Sequence, residues 1–220
     1  MQRIPEPELM NDEAQALAYA QANFDEPHDM FIQVFKDTFP EEKVSGHILD
    51  LGCGPADISI RFARAYPDCE IDGLDGASRM LAQGKLAIQK AQLQDRIHLL
   101  EGILPGVDLP RDDYDVIISN SLLHHLHTPD VLWESIKQSG VPGTRVFIMD
   151  LMRPESEKVA REFVDLYARD EPQVLREDFY HSLCAAFLPE EIQSQLDIAR
   201  LAQLDVKVVS DRHVAVSGLL

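Results

Sequence analysis

The chain has little of what marks secreted, membrane-spanning or metal-stapled proteins. Its three cysteines, Cys53, Cys69 and Cys184, are odd in number and form no C-x-x-C pair. Disulfide frameworks and structural zinc sites need paired or clustered cysteines, so neither is expected. No apolar run approaches the roughly 20 residues of a membrane helix, and the N-terminus carries no signal-peptide pattern. We therefore expect a cytoplasmic protein without a membrane partner.

Basic residues are also scarce. The 220 residues include 20 Lys and Arg against 38 Asp and Glu, which gives a formal net charge of −18. Binding to a phosphate backbone depends on clustered basic side chains, and no run of three basic residues occurs. A negative field repels polyanions and tolerates small neutral or cationic ligands. We expect no nucleic-acid partner, and the oligomeric state stays open.

Strand-like and helix-like segments alternate through the middle of the chain. The predicted strands are 47–51, 69–75, 96–102, 114–120 and 144–151, and the predicted helices between them are 55–66, 78–93 and 129–139. This spacing indicates βαβ units and a parallel sheet that is covered on both faces. Two further β-rich runs, 206–209 and 213–219, are separated by only three residues. These runs predict an antiparallel hairpin at the end of the chain.

Helical segments flank this pattern on both sides. Residues 11–39 predict two helices, and we interpret residues 1–45 as an N-terminal helical cover. The first seven residues contain two prolines and are expected to fray. Residues 46–220 form the main domain, with a helical insertion at about 152–188. The predicted fold is α/β, a Rossmann-like, doubly wound, seven-stranded mixed sheet with a C-terminal antiparallel hairpin and an N-terminal helical lid.

A glycine-rich loop, ILDLGCGPA (48–56), follows the first predicted strand. Gly52 and Gly54 lie where the strand turns into a helix, and glycine there allows a positive φ and close approach of a ligand. A dinucleotide fingerprint requires a third glycine at position 57, which is Asp57. Asp57 and Asp50 are electrostatically unfavourable beside a diphosphate but suit a ligand with a cationic amino group. A P-loop is excluded because no Gly-Lys-Ser/Thr follows.

Asp75 ends the second predicted strand, 21 residues after Gly54. A carboxylate at this position can accept hydrogen bonds from both hydroxyls of a ribose. Together with the glycine loop, it predicts a ribose-bearing ligand with an amino acid portion where a dinucleotide has phosphates. S-adenosylmethionine is such a ligand.

Four motifs in order resemble the class I S-adenosylmethionine-dependent methyltransferases, in particular the small-molecule group called type 11 or type 12. They are LDLGCGPA, IDGLDGASRML, LLEG and YDVIISNSLLHHL, and the resemblance runs from about Ile48 to Asp150. It implies S-adenosyl-L-methionine as the cofactor, S-adenosyl-L-homocysteine as its product, and a small-molecule acceptor. The family's seven-stranded sheet with an antiparallel last strand agrees with the predicted hairpin.

The resemblance also implies a set of cofactor-binding residues. They are Asp50, Gly52, Gly54, Asp75, Gly76, Met80, Gly102, Ile103, Asn120 and, as a lid residue, Tyr19. The first three would hold the methionine portion, Asp75 the ribose, and Asn120 the region of the transferable methyl. Many relatives carry an acid at the position of Ile103, so adenine recognition would here rest on backbone groups and packing. Simpler structural roles, such as a helix cap for Asp75 or core packing for Met80, stay open.

The candidate catalytic residues lie in SNSLLHHLHTP, directly after the fourth predicted strand. His125 is the first candidate for a general base and His124 the second, because open α/β folds bind ligands at this edge. Structural hydrogen bonding by one or both rings is the alternative. We expect no metal, because no carboxylate or thiol of ligand spacing accompanies His124, His125 and His127.

The favoured function is in-line methyl transfer from S-adenosylmethionine to a small-molecule acceptor. An RNA or protein methyltransferase on the same fold and a non-catalytic S-adenosylmethionine-binding protein are the alternatives. The segment SNSLLHH lacks the N-P-P-[YF] motif used on exocyclic amino groups of bases, which weighs against RNA. The identity of the acceptor, the atom that is methylated, and the roles of Arg153, Arg176 and Tyr180 are not determined by the sequence.

Overall fold

The computed structural model describes residues 1–40 and 43–220, and over these residues one sheet of seven strands runs through the molecule. The strands are β1 (Gly46–Leu51), β2 (Cys69–Asp75), β3 (Ile97–Glu101), β4 (Tyr114–Asn120), β5 (Gly140–Leu151), β6 (Asp205–Val208) and β7 (His213–Leu219). The helices are α1 (Glu13–Gln21), α2 (Asp25–Thr38), α3 (Asp57–Ala65), α4 (Ser78–Ala91), α5 (Asp130–Ser139), α6 (Glu157–Tyr167), α7 (Gln173–Ala185) and α8 (Pro189–Ala199).

The sheet has the strand order β3-β2-β1-β4-β5-β7-β6. Strands β1 to β5 pair in parallel, and β7 lies antiparallel between β5 and β6. The chain proceeds from β1 towards one edge and returns to the other side of β1 at β4, so a crevice opens at the carboxyl ends of these two strands. The predicted α/β class, mixed sheet and terminal hairpin are confirmed.

Both faces of the sheet are buried. On β4, Ile117 belongs to one core cluster, whereas Val116 and Ile118 belong to the cluster on the opposite face. Trp133 of α5 fills the first cluster and Phe62 of α3 the second, and neither ring is exposed. Burial on both faces is why these parallel strands are continuous apolar runs in the sequence.

Helix α2 packs into the central core. Phe31 and Phe35 have no exposed surface, and their rings lie edge-on to Phe147 of β5 with centroids 4.9 and 5.5 Å apart. Phe35 also lies edge-on to Phe62, at 4.9 Å. A boundary at residue 45 stays a prediction, and Glu41 and Glu42 just before it lie outside the described residues. The part of the expected cover formed by α2 thus shares its core with the sheet.

Residues 3–10 form an extended segment, here called the strap, that is fastened to the rest of the molecule. The guanidinium of Arg3 donates to the carbonyls of Ala185 (2.5 Å), His124 (2.9 Å) and Leu126 (3.0 Å). The expectation that the first seven residues fray is wrong, because Arg3 finds these carbonyl partners far along the chain. No helix in residues 1–40 or 43–220 is long and apolar enough to cross a membrane.

We predict that Phe35→Ala destabilises the protein by roughly 3–5 kcal/mol, the usual cost of removing a buried phenyl ring from a core. Urea unfolding followed by circular dichroism measures this free energy. Ile198→Ala is the matched control, since Ile198 is 76% exposed and its truncation is expected to change stability by no more than about 0.5 kcal/mol. A Phe35→Ala protein as stable as the control would show that α2 is not part of the cooperative core.

Candidate functional site

Two adjoining cavities open at the carboxyl edge of the sheet. The glycine-loop cavity, about 370 Å³, is lined by the loop after β1 and by Asp75, Met80 and Ile103 among others. The insertion cavity, about 540 Å³, is lined by parts of α2, α6 and α7. Both cavities are bordered by Met10, Tyr19, His28, Asn120, Ser121 and His125. The two cavities therefore adjoin along a shared wall.

The ten residues predicted to bind the cofactor all line the glycine-loop cavity. They are Tyr19, Asp50, Gly52, Gly54, Asp75, Gly76, Met80, Gly102, Ile103 and Asn120. Nine of them lie at or shortly after the carboxyl ends of β1 to β4, which share one edge of the parallel sheet, and α1 contributes Tyr19. His125 borders both cavities, whereas His124 borders the insertion cavity.

The glycine loop depends on its glycines for two different reasons. Gly52 has φ +73°, and a Cβ there would lie 2.9 Å from the side chain of Leu122, so no side chain fits. Gly54 has φ +51°, yet nothing lies within 4 Å of the position of its Cβ. Gly54 also lines the cavity, so a ligand there can approach its backbone closely.

Asp75 ties the loop after β1 to the loop after β2. One carboxylate oxygen accepts a hydrogen bond from the Gly54 amide at 2.8 Å, and the other accepts from the Ala77 amide at 2.7 Å. Burial raises the pKa of this carboxyl, although both amides favour its charged form. A carboxylate has about four lone-pair directions, so both oxygens retain capacity for a ligand in addition to this structural role.

Asp50 is a buried carboxyl at the base of the same cavity. It is 1% exposed, and it accepts a hydrogen bond from the Ser59 hydroxyl at 2.5 Å. Burial raises its pKa to about 7, with a further contribution from the charge of Asp75, whereas the Ser59 hydroxyl opposes the shift. Burial disfavours the anion of Asp50, whereas a cationic group placed beside the carboxyl would favour its ionised form.

The strap covers the far end of the glycine-loop cavity. A Cβ on Gly76 would lie 2.9 Å from Leu9 of the strap and 3.0 Å from Ile103. Met80 is buried in a small cluster with Ala16 and also lines the cavity. Met80 therefore both packs in the core and lines the cavity.

The two histidines after β4 differ in their partners. His124 Nδ1 lies 2.5 Å from a carboxylate oxygen of Asp150, and its Nε2 lies 3.5 Å from Oε1 of Glu6 in the strap. His125 Nδ1 lies 3.3 Å from the same Glu6 oxygen. The Asp150 carboxylate also accepts the Leu123 amide at 2.7 Å. A short 3-10 turn over Leu123–His125, held by Asp150, thus turns both rings towards Glu6.

The surroundings of the two rings shift their pKa values in opposite directions. Burial lowers the pKa of His125 to about 3, with a smaller contribution from the neighbouring His124. Burial also acts on His124, but the Asp150 carboxylate outweighs it and raises the pKa of that ring. His125 is therefore neutral at physiological pH and does not titrate near 6.5 as an unperturbed imidazole does.

Arg153, Arg176 and Tyr180, whose roles were open, line neither cavity in the part of the chain that the structure describes. Arg153 donates to Glu191 at 2.7 Å, and Arg176 donates to Asp165 at 2.8 Å. The guanidinium of Arg161 lies 4.4 Å from the ring centroid of Tyr180. These three side chains are occupied within the protein.

Sequence reasoning missed Glu6 and Asp150. Asp150 is the next-to-last residue of the fifth predicted strand, close to the ligand-binding edge of a parallel sheet, so this position could have been noted. Glu6 lies in a proline-containing segment without periodicity. Its place beside the histidines follows only from the long-range contacts of the strap.

The seven-stranded sheet with its antiparallel β7 is a fold shared with solved S-adenosylmethionine-dependent methyltransferases. Residues 48–143 match the model of the methyltransferase domain family. A solved structure of an S-adenosylmethionine-dependent methyltransferase from Aquifex aeolicus aligns with a TM-score of 0.67 and 16% identity, covering 94% of this chain and 98% of that one. The resemblance carried by the four sequence motifs is confirmed.

Curated relatives match a more limited part. The probable methyltransferase ltbC of Aspergillus luteorubrus is 27% identical over 142 residues, which are 59% of this chain and 50% of the relative. Ribosomal RNA small subunit methyltransferase C of Shewanella denitrificans is 29% identical over 102 residues, 46% of this chain and 28% of the relative. The chain thus spans half or less of the length of these two proteins, which differ in what their names say they modify.

We predict that Asp50→Asn stabilises the ligand-free protein above pH 7 and has little effect near pH 4. The pKa of Asp50 is about 7 in the folded state, against an ordinary value of 3.8. The folded state therefore binds its proton more tightly and loses this stabilisation as pH rises through 7. Tm measured from pH 4 to 8.5 tests this, with the exposed Asp112→Asn as control. A constant difference in Tm across that range would contradict the raised pKa.

Proposed function

We propose that the protein transfers a methyl group from S-adenosylmethionine to a small-molecule acceptor. The donor would occupy the glycine-loop cavity and the acceptor the insertion cavity. The observation that carries the proposal is the wall that the two cavities share, formed in part by Asn120 and His125. In-line displacement requires donor and acceptor to meet along one line, and adjoining cavities supply this arrangement.

The glycine-loop cavity has the groups that this donor needs. S-adenosylmethionine carries a ribose, a cationic amino group and a sulfonium, and it has no phosphate. The open side of Gly54, the remaining lone pairs of Asp75 and the buried carboxyl of Asp50 suit the backbone approach, the ribose hydroxyls and the ammonium, respectively. A carboxylate beside a diphosphate would be repulsive, which favours this donor over NAD.

The insertion cavity suits a small neutral or cationic acceptor. Its volume of about 540 Å³ lies within the range of about 300–1,000 Å³ of small-molecule sites. Acidic side chains outnumber basic ones in its wall, with Asp25, Glu26, Asp170, Glu171 and Asp178 against Arg169 and Arg212. Arg212 is engaged with Glu26 at 2.8 Å. RNA and protein acceptors are the alternatives, and an acidic wall disfavours RNA. A cytoplasmic location accords with a small metabolite as acceptor.

The chain's own residues would hold the two ligands and exclude water, which is the main requirement of methyl transfer from a sulfonium. Tyr19 and Phe24, with ring centroids 4.7 Å apart, close one side of the insertion cavity. His125 is the first candidate catalytic residue, and His124 the second. The neutral His125 ring lies in the shared wall, where it can contact the acceptor.

The donor assignment predicts that calorimetry detects binding of S-adenosylmethionine and S-adenosylhomocysteine and none of NAD. Asp75→Ala is expected to weaken donor binding by about 1.5–3 kcal/mol, because hydrogen bonds to a charged carboxylate are lost. Glu70→Ala is the matched control, since Glu70 is an exposed acid on the same strand. Equal donor affinity in Asp75→Ala and the control would refute the ribose contact.

The acceptor assignment predicts that His125→Ala lowers kcat by about 10²-fold, the cost of a misplaced reactant, because the neutral ring would position the acceptor rather than take its proton. The Kd of the donor should stay nearly unchanged, because the ring would not hold adenosine. Labelled donor and a panel of amine, hydroxyl, phenol and thiol acceptors provide the assay, with the exposed His98→Ala as control. Unchanged kcat with a turned-over acceptor would make His125 a structural residue.

A further inference from the structure

A three-residue cluster lies at the wall of the insertion cavity and is not explained by donor or acceptor binding alone. Among the described residues, Glu6, His124 and His125 are the ones whose ligand-type atoms group closely enough to hold a metal ion. The side chains are 9%, 3% and 14% exposed, respectively. Two of the facing atoms, Glu6 Oε1 and His125 Nδ1, are buried without a hydrogen-bond partner.

We propose that Glu6, His124 and His125 form a binding site for a divalent transition-metal ion of the zinc class. The distances from Glu6 Oε1 to His125 Nδ1 and His124 Nε2 are 3.3 and 3.5 Å. Ligand atoms about 2.0–2.2 Å from a tetrahedral zinc ion lie roughly 3.3–3.6 Å from one another. Two imidazoles and one carboxylate are a common set for ions that keep positions open.

His124 has an outer partner that leaves its facing atom free. Its Nδ1 lies 2.5 Å from a carboxylate oxygen of Asp150, which leaves Nε2 towards Glu6. The facing atoms of the other two ligands, Glu6 Oε1 and His125 Nδ1, have no hydrogen-bond partner. A carboxylate partner such as Asp150 orients a ligating histidine and fixes its tautomer.

The electrostatics of the cluster call for a shared cation. Glu6 Oε1 and His125 Nδ1 face each other at 3.3 Å without a hydrogen-bond partner, in a buried setting where unpaired polar atoms are costly. The ion or a shared proton on Glu6 would satisfy both atoms. The sequence expectation of no metal rested on the lack of a carboxylate near the histidines, and Glu6 supplies one through the strap.

An ion there would border the insertion cavity, because His124 and His125 line it. Its remaining coordination positions suit an acceptor that offers an oxygen, nitrogen or sulfur lone pair. This consequence for the acceptor rests on the proposed function, whereas the binding of the ion does not. Metal content and donor binding can therefore fail independently.

The test is metal binding by the purified full chain. After chelator treatment, Zn²⁺ and Co²⁺ are titrated in equilibrium dialysis, and Co²⁺ absorption reports the coordination geometry. We expect one equivalent per chain in the wild type. In Glu6→Gln the affinity should fall by at least the roughly 10–100-fold that loss of an outer-shell partner alone costs. Glu8→Gln is the matched control, because Glu8 is on the strap but pairs with the exposed His127.

Two results would overturn the proposal. A wild-type chain that retains no ion against dialysis would mean that the cluster shares a proton only. Equal affinity in the wild type and Glu6→Gln would mean that the ion binds elsewhere. Circular dichroism verifies folding, and if Glu6→Gln does not fold, His125→Gln replaces it. Calorimetry with S-adenosylhomocysteine on the same samples reports separately on the donor site.

Discussion

Parallel pairing of β1 with β4 is the constraint on which the rest of the site depends. Ile48 to Leu51 lie in register with Val116 to Ser119, so the two strands end at the same edge and their following loops diverge from one point. The glycine loop leaves one strand there, and the turn that carries the two histidines leaves the other. Because a parallel sheet cannot expose its faces, this edge is where the molecule can open a crevice.

Buried carboxylates then give the crevice its shape. Asp75 joins two loops through the amides of Gly54 and Ala77, and Asp150 holds the turn over Leu123–His125. Each carboxylate accepts hydrogen bonds from backbone amides, and these bonds fix loops that have no regular structure of their own. Asp75, the acid proposed to bind the ligand's ribose, therefore also holds two loops together.

Local patterns in the sequence predicted the sheet and the hairpin, and the resemblance of four motifs to a known family implied the ten residues that line one cavity. Gly52 and Gly54 follow a strand directly, and Asp75 and Asn120 end strands, so strand order alone brings them together. Glu6 and Arg3 carry no such local signal. Arg3 is positioned by carbonyls of Ala185, His124 and Leu126, and such contacts exist only after the chain has folded. The alternation of strands and helices likewise does not predict that Phe31 and Phe35 of α2 are buried in the core of the sheet.

The strap gives the two cavities a common fastening. Leu9 lies over Gly76 at the far end of the glycine-loop cavity, and Glu6, three residues earlier, faces His124 and His125 at the other cavity. A ligand that contacts the strap in one cavity would order it, so a ligand in the other cavity would lose less conformational entropy on binding. By thermodynamic reciprocity, each ligand would then raise the affinity for the other by the same factor. One short stretch of chain would thus couple the occupancy of the two cavities.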